Sequence, residues 1–365
     1  MSYSIPSSIN RILVTGGAGF IGGALIRRLL KETNAVIYNL DKLSYSSDTS
    51  SIDQVISSFN SLNQQRYQLL RCDLYDQSET NLAIDLSDPD LVIHLASETH
   101  VDRSIDNPFE FVKSNIVGTY NLLEAVRKHW LRLSDARREN FRLHHISTDE
   151  VFGSLGKEGS FSEGTAYYPK SPYSASKASS DHLINAWFHT YSIPVVTTNC
   201  SNNYGPWQFP EKLIPLVINK GINDESIPIY GNGLNVRDWL YVEDHIDAIL
   251  LVATKGDIGK RYCIGGFGEM TNKQIVDSIC VLLDEYIPKK KSHKDLIEFV
   301  KDRPGHDFRY SINSELIQKE LGWYPKHCFK DGLEFTVKWY IDNKEWSEKV
   351  CKKSNYNIQR LGTSI

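Results

Sequence analysis

Short aliphatic runs separated by segments of helical period fill the first two hundred positions. Residues 11–15, 36–40, 67–72, 91–95, 141–146 and 195–198 are such runs. Near-continuous hydrophobicity marks strands buried on both faces, as in a parallel sheet covered by helices. Helical period follows at 22–31, from Pro108 to about residue 131, and at 173–191. The alternation predicts an α/β fold, a doubly wound parallel sheet. In the segment 108–131, Phe109, Val112, Ile116, Val117, Tyr120, Leu123 and Val126 cover more than one helix face. Such a helix needs a second cover, so a homodimer through helices 108–131 and 173–191 is expected. Residues 44–65, rich in Ser, Asn and Gln, read as a surface excursion with at most one short helix, and 134–140 as an external loop. Beyond residue 200 the alternation loosens. The main domain is therefore expected over 1–200, completed by part of 237–265, with a smaller C-terminal α/β domain over 201–346 and a frayed polar tail over 347–365.

Composition narrows the class. The chain has 365 residues, 24% charged, with a formal net charge of -4, which suggests neither a nucleic-acid nor a membrane surface. The basic run Lys289-Lys290-Lys291 reads as a solvated loop. Six cysteines without any C-x-x-C suggest reduced thiols in a cytoplasmic setting and no zinc site. No apolar stretch approaches a membrane span, and a strand near Arg11 leaves no room for a signal peptide.

Candidate chemistry begins directly after the first strand, at Gly16-Gly17-Ala18-Gly19-Phe20-Ile21-Gly22. Gly16 allows a tight turn, Gly19 lets amides approach a pyrophosphate, and Gly22 lets helix and strand pack closely. The second strand leads to Asp41, placed to accept from the adenosine ribose hydroxyls and to repel a 2′-phosphate. The first domain thus reads as Rossmann-type, and its cofactor as NAD and not NADP. Asp73-Leu74, after the third strand, is an adenine-side candidate. The bland reading is a glycine-rich turn and a surface Asp.

The fifth strand runs into Thr148-Asp149-Glu150, and Tyr173 precedes Lys177 by one helical turn. A tyrosine acts as a base near pH 7 only if its pKa falls from about 10, a change worth about 4 kcal/mol. Lys177 and a cationic nicotinamide could supply that. This pair suffices to oxidise a sugar hydroxyl. Once C4 is a ketone, the C5 hydrogen becomes removable, so Glu150 is the candidate base and Asp149 the candidate acid for a departing C6 hydroxyl. In a continuing strand the two would face opposite ways, so the chain must leave extended geometry at Thr148, which then bonds the C4 oxygen. The bland reading is that both carboxyls cap the strand end. His100 is given no chemical role. Asp302-Arg303-Pro304-Gly305-His306 is a rigid turn presenting a guanidinium suited to a diphosphate.

At these motifs, together with His100-Val101-Asp102-Arg103-Ser104, Asn202-Asn203-Tyr204-Gly205-Pro206 and Arg237-Asp238-Trp239, the chain resembles the extended short-chain dehydrogenase/reductase superfamily, and closely the bacterial dTDP-glucose 4,6-dehydratases. The resemblance implies Tyr173 as base at C4, Asp149 as acid at C6, Glu150 as base at C5, and Thr148 and Thr99 as hexose contacts. It implies Phe20, Ile21, Asp41, Lys42, Leu43, Ser44, Asp73, Leu74, Ser114, Lys177 and Asn203 around NAD. Asn202, Lys212, Leu213, Pro228, Tyr230, Arg237, Asn272, Arg303 and His306 would hold the nucleotide diphosphate of a hexose substrate. Ser97, Thr99, Ser114, Phe152 and the Ser46-Ser47 tract depart from the family pattern. The alternatives are a UDP-glucose 4,6-dehydratase, a nucleotide-sugar 4-epimerase or decarboxylase, and a non-catalytic NAD-sensing protein.

Overall fold

The computed structural model describes residues 5–354 and 356. Strands β1 (Arg11–Thr15), β2 (Val36–Asp41), β3 (Tyr67–Arg71), β4 (Leu91–His94), β5 (Arg142–Thr148) and β6 (Val195–Cys200) build one sheet, spaced by helices α1 (Phe20–Glu32), α2 (Ser50–Ser57), α3 (Ser61–Gln64), α4 (Gln77–Ser87), α5 (Val101–Asp106), α6 (Pro108–Phe111), α7 (Gly118–Arg132), α8 (Asp135–Asn140) and α9 (Pro172–Tyr191). The chain then forms β7 (Asn202–Tyr204), α10 (Leu213–Ile222), β8 (Ile227–Tyr230), β9 (Val236–Arg237), β10 (Trp239–Tyr241), α11 (Val242–Lys255) and β11 (Arg261–Ile264). It ends with β12 (Met270–Thr271), α12 (Asn272–Tyr286), β13 (Ile297–Val300), α13 (Glu315–Leu321), α14 (Phe329–Asp342) and α15 (Lys344–Lys353).

The large sheet is parallel throughout, in the order β11-β6-β5-β4-β1-β2-β3. Along β1, Ile12 and Val14 pack with α1, α2 and α11, while Leu13 faces α4, α7 and α9. Both faces are covered, which explains why these strands read as unbroken apolar runs. Two polar exceptions each find a partner through Nε2: His144 bonds Thr198 Oγ1 at 3.1 Å and His145 bonds Asp181 at 3.0 Å. Strand order reverses between β1 and β4, so a crevice opens at the strands' carboxyl ends.

After β6 the chain leaves the sheet and returns through α11 and β11, which pairs with β6. The smaller lobe has three two-stranded ladders, β7 with β10, β9 with β12 and β8 with β13. Helices α10, α12 and α14 close over its core of Ile214, Ile279, Val337 and Tyr340.

Four expectations are corrected. Residues 44–65 hold two helices, because Ser51, Ile52 and Val55 bury one face of α2 within a serine-rich sequence. The segment 108–131 is not one α-helix: Val112–Val117 forms a π turn. There the buried Asn115 side chain donates to Glu98 O and Ser176 Oγ and accepts from Glu98 N–H, holding the extra residue in register. Within 134–140 lies the short helix α8, Asp135–Asn140, anchored where Arg137 pairs with Asp88 and Asp90. The segment from 347 does not fray at its start, since α15 buries Ser347, Val350 and Cys351 on one face. Residues 357–365 lie outside the described residues.

A Cβ on Gly22 would stand 2.2 Å from Gly16 O, so α1 can approach the turn only with glycine there. Gly22→Ala is expected to cost about 1–3 kcal/mol by overpacking, read from the denaturant midpoint, and to weaken dinucleotide binding.

Candidate active site

Thr148 ends β5 in extended geometry, at φ -137° and ψ 146°, and the chain then turns through a 3-10 segment, Asp149–Phe152. Gly153, at φ 88°, ends the turn, and a Cβ there would meet Tyr168 O at 2.5 Å. This turn removes the strand objection, because Asp149 and Glu150 both line the same crevice. Thr148 Oγ1 donates to Asp149 Oδ1 at 3.2 Å and accepts the Glu150 N–H at 3.4 Å.

The two carboxyls differ in their surroundings. Asp149 is 1% exposed and its Oδ2 has no hydrogen-bond partner. Burial, then Glu150 and Asp238, hold its pKa well above the usual carboxylate range. Glu150 is also raised by burial, but Arg303, Arg237 and Lys212 oppose the rise. The surroundings therefore favour the protonated form of Asp149 more than that of Glu150, which the cations help to ionise.

Tyr173 and Lys177 lie on α9, whose start is fixed by a capping box between Ser171 and Ser174. Tyr173 is buried with its ring edge-on to Phe111 at 6.2 Å, and Lys177 Nζ donates to Ile146 O at 2.9 Å. Burial and Glu150 push the Tyr173 phenol up, and a bond to Thr148 works the other way. The lowering expected from Lys177 is not seen in the protein alone. Its own ammonium is lowered by burial and partly restored by Asp181.

The crevice containing these groups is lined by Gly16, Gly19, Phe20, Ile21, Gly22, Asp41, Lys42, Ser44, Asp73, Leu74, Ser114 and Asn203, all expected around NAD. Leu43 is the exception. It adopts φ 58° and its N–H donates to Asp41 Oδ1 at 2.7 Å, so it holds the carboxylate and does not line the crevice. Asp41 also accepts from Ala18 N–H and Ser47 Oγ, each at 3.0 Å. A carboxylate has about four acceptor sites, so roughly one remains, fewer than sequence reasoning supposed. A Cβ on Gly16, at φ 71°, would meet Ala96 Cα at 2.7 Å, so the turn before α1 packs this closely against the end of β4 only with glycine. These residues fit an adenine dinucleotide with its pyrophosphate at the α1 N-terminus.

A second crevice meets the first at Thr99, Glu150, Asn202, Asn203, Gln208, Glu211 and Lys212. Leu213, Pro228, Tyr230, Arg237, Asn272, Arg303 and His306 line it, as expected of the substrate set, whereas Thr148 lines only the first. Arg303 Nε is buried without a partner, as an anion site requires. Among the described residues no cluster of His, Cys, Asp or Glu could hold a metal ion, and no helix is long and apolar enough to cross a membrane.

Sequence reasoning missed several supporting groups. Asp102 on α5 accepts from Tyr230 OH and Arg303 Nη1, each at 3.1 Å, and so orients two residues of the other lobe. Asp238 accepts from Gly266 and Gly268 N–H and adds to the field on Asp149. Asp181 accepts from His145, Ser147, Tyr167 and Asn199 beneath Lys177. The signal was present: Asp102 and Asp238 stand inside motifs already singled out, where only neighbouring residues had been given roles.

Comparison with known proteins gives a consistent picture. The family model described as GDP-mannose 4,6 dehydratase matches residues 13–336. A curated dTDP-glucose 4,6-dehydratase of Neisseria meningitidis is 48% identical over 97% of this chain and 99% of its own length. The solved dTDP-glucose 4,6-dehydratase of Streptomyces venezuelae, with NAD bound, is 38% identical with a TM-score of 0.83, covering 93% of this chain and 99% of that one. That of Bacillus anthracis, in complex with NAD, is 40% identical with a TM-score of 0.81 and the same coverage.

The raised Asp149 pKa fixes the sign of a stability test. Between the unfolded and folded pKa values the native state binds the extra proton, so stability falls as pH rises through that window. Asp149→Asn removes the penalty. The variant is expected to unfold at a higher temperature than the wild type in alkaline buffer, with the gap closing toward pH 4, while turnover drops about 100-fold or more.

Proposed function

We propose, on the premise that the chain belongs to the GDP-mannose 4,6 dehydratase family and lies among its dTDP-glucose-specific members, that it converts dTDP-glucose to dTDP-4-keto-6-deoxyglucose. The protein is an NAD-dependent hydro-lyase. The observation that carries this reading is the convergence of Thr148, Asp149, Glu150, Tyr173 and Lys177 in one crevice, with a carboxyl raised by burial beside one flanked by cations. An epimerase has no use for an acid at C6.

We read residues 1–200 with part of 237–265 as the NAD-binding domain and 201–346 as the nucleotide-sugar domain. NAD, held by the crevice residues from Gly16 to Gly22, Asp41 and Lys177, would supply a hydride acceptor for C4 and a hydride donor for C6. Tyr173 takes the proton of the C4 hydroxyl while Thr148 holds that oxygen. Glu150 then removes the C5 proton, Asp149 protonates the C6 hydroxyl as it leaves, and one water departs. Glu150 returns its proton to C5. Tyr173 is left with one proton too many and Asp149 with one too few, and Thr148, bonded to Asp149 and beside Tyr173, is the bridge for that transfer. Arg303, Arg237 and Lys212 face the diphosphate and also favour ionised Glu150.

The exposed Phe109, Val112, Tyr120, Leu131 and Tyr191 on the helical segments 108–132 and 172–191 support a homodimer through these helices. The free cysteines support a cytoplasmic setting, where the product would feed deoxysugars such as rhamnose. Light scattering at micromolar concentration should give twice the chain mass, and Tyr120→Glu should return it to the monomer.

The activity test is incubation of the purified protein with dTDP-glucose and with UDP-glucose, no cofactor added. The expected product has lost one water with no net NADH, forms faster from dTDP-glucose, and is not formed by Tyr173→Phe. An unchanged mass with a new hexose epimer would overturn the dehydratase reading.

A further inference from the structure

The two walls of the cofactor crevice come from different lobes, and one buried carboxylate joins them. Glu211, between β7 and α10, has a side chain only 2% exposed. Its Oε1 accepts from Tyr45 OH at 2.7 Å and its Oε2 from Arg103 Nε at 3.0 Å. Tyr45 belongs to the loop after Asp41, whose Lys42, Ser44, Ser46 and Ser47 line one wall, while Glu211 lines the opposite wall beside Lys212. The Arg103 guanidinium stacks over the Tyr45 ring at 3.7 Å, closing a three-membered network. A second layer reinforces it. Phe209 stands edge-on to Tyr45 at 5.7 Å, and Trp346 Nε1 on α15 donates to Asp48 at 3.0 Å. Burial and Glu211 push the Tyr45 phenol up, so it stays a donor.

We propose that Tyr45, Glu211 and Arg103 form an interlobe clasp that retains the dinucleotide between turnovers. The proposal rests on the NAD reading of this crevice. For the dinucleotide to leave, the loop after Asp41 must part from residues 208–212. That separation breaks a charge-assisted hydrogen bond and leaves a buried carboxylate short of a partner. The clasp touches none of the reacting atoms, so it acts on the rate of cofactor release and not on the chemical steps. These are positioning residues. A reaction that begins and ends with the same oxidised cofactor gains from slow release, because the dinucleotide never has to be exchanged.

The test uses the full chain as purified, with Tyr45→Phe, which keeps the ring packing, and Glu211→Gln. NAD retained per chain after gel filtration, its release rate into NAD-free buffer, the unfolding temperature with saturating NAD, and turnover with and without added NAD are measured. Tyr45→Phe is expected to release NAD about tenfold faster, to unfold as the wild type does when NAD is added, and to recover kcat within about twofold at saturating NAD. Glu211→Gln should follow in the same direction. Release at the wild-type rate in both variants overturns the clasp. So does turnover that added NAD cannot restore together with a lowered unfolding temperature, which would mark a merely structural role. A wild type that binds no NAD would fail earlier, at the cofactor reading, and would remove the clasp with it.

Discussion

Withdrawal of two adjacent carboxyls from water at the end of β5, Asp149 buried and Glu150 half-buried, is the constraint on which the rest of the molecule depends. An isolated buried carboxylate is costly, and a protein meets the cost by protonating it or surrounding it with positive charge. Here both answers are used on neighbouring residues. Asp149 is left with an unpartnered oxygen and a second carboxylate nearby, whereas Glu150 faces cations brought in by the smaller lobe. In the proposed reaction the acid and the base are therefore set apart by the cations beside Glu150 and not by residue type. Without Arg303 and Arg237 the two groups would compete for one proton.

The larger lobe supplies the fixed frame for this arrangement. A parallel sheet covered on both faces brings the strands' carboxyl ends to one edge, and the glycine turn keeps α1 close enough to face that edge. The smaller lobe contributes none of the proposed reacting groups but supplies the cations that act on Glu150. Asp102 and Arg103, adjacent on α5, reach across in opposite electrostatic senses, one anion to Arg303 and Tyr230, one cation to Glu211. A single short helix thereby registers the lobes at two points.

The fold was legible because the inner strands are buried on both sides, and that condition leaves a run of aliphatic residues that needs no long-range information. The glycine turn, Asp41, Thr148 to Glu150 and the Tyr173–Lys177 pair were legible for a similar reason, since local geometry dictates their spacing. What escaped depended on partners distant in sequence. The Tyr173 phenol could not be assigned a state from Lys177 alone, because the lysine spends a hydrogen bond on Ile146 and the nearer influences are burial and Glu150. Helix α2 hid behind serines because only Ile52 and Val55 carry its buried face.

The π turn at Val112–Val117 changes how this surface must be read. Each residue of an α-helix advances about 100° around the axis, so one additional residue in a turn rotates everything beyond it by about that angle. Phe109 and Tyr120 lie on either side of the turn, and a helical wheel drawn straight through 108–132 assigns one of them to the wrong side. The turn acts as a phase shifter. It lets one continuous helical segment offer Asn115 to the interior and then present a differently oriented stripe outward. Any redesign of the outer face therefore has to be planned in two separate angular frames.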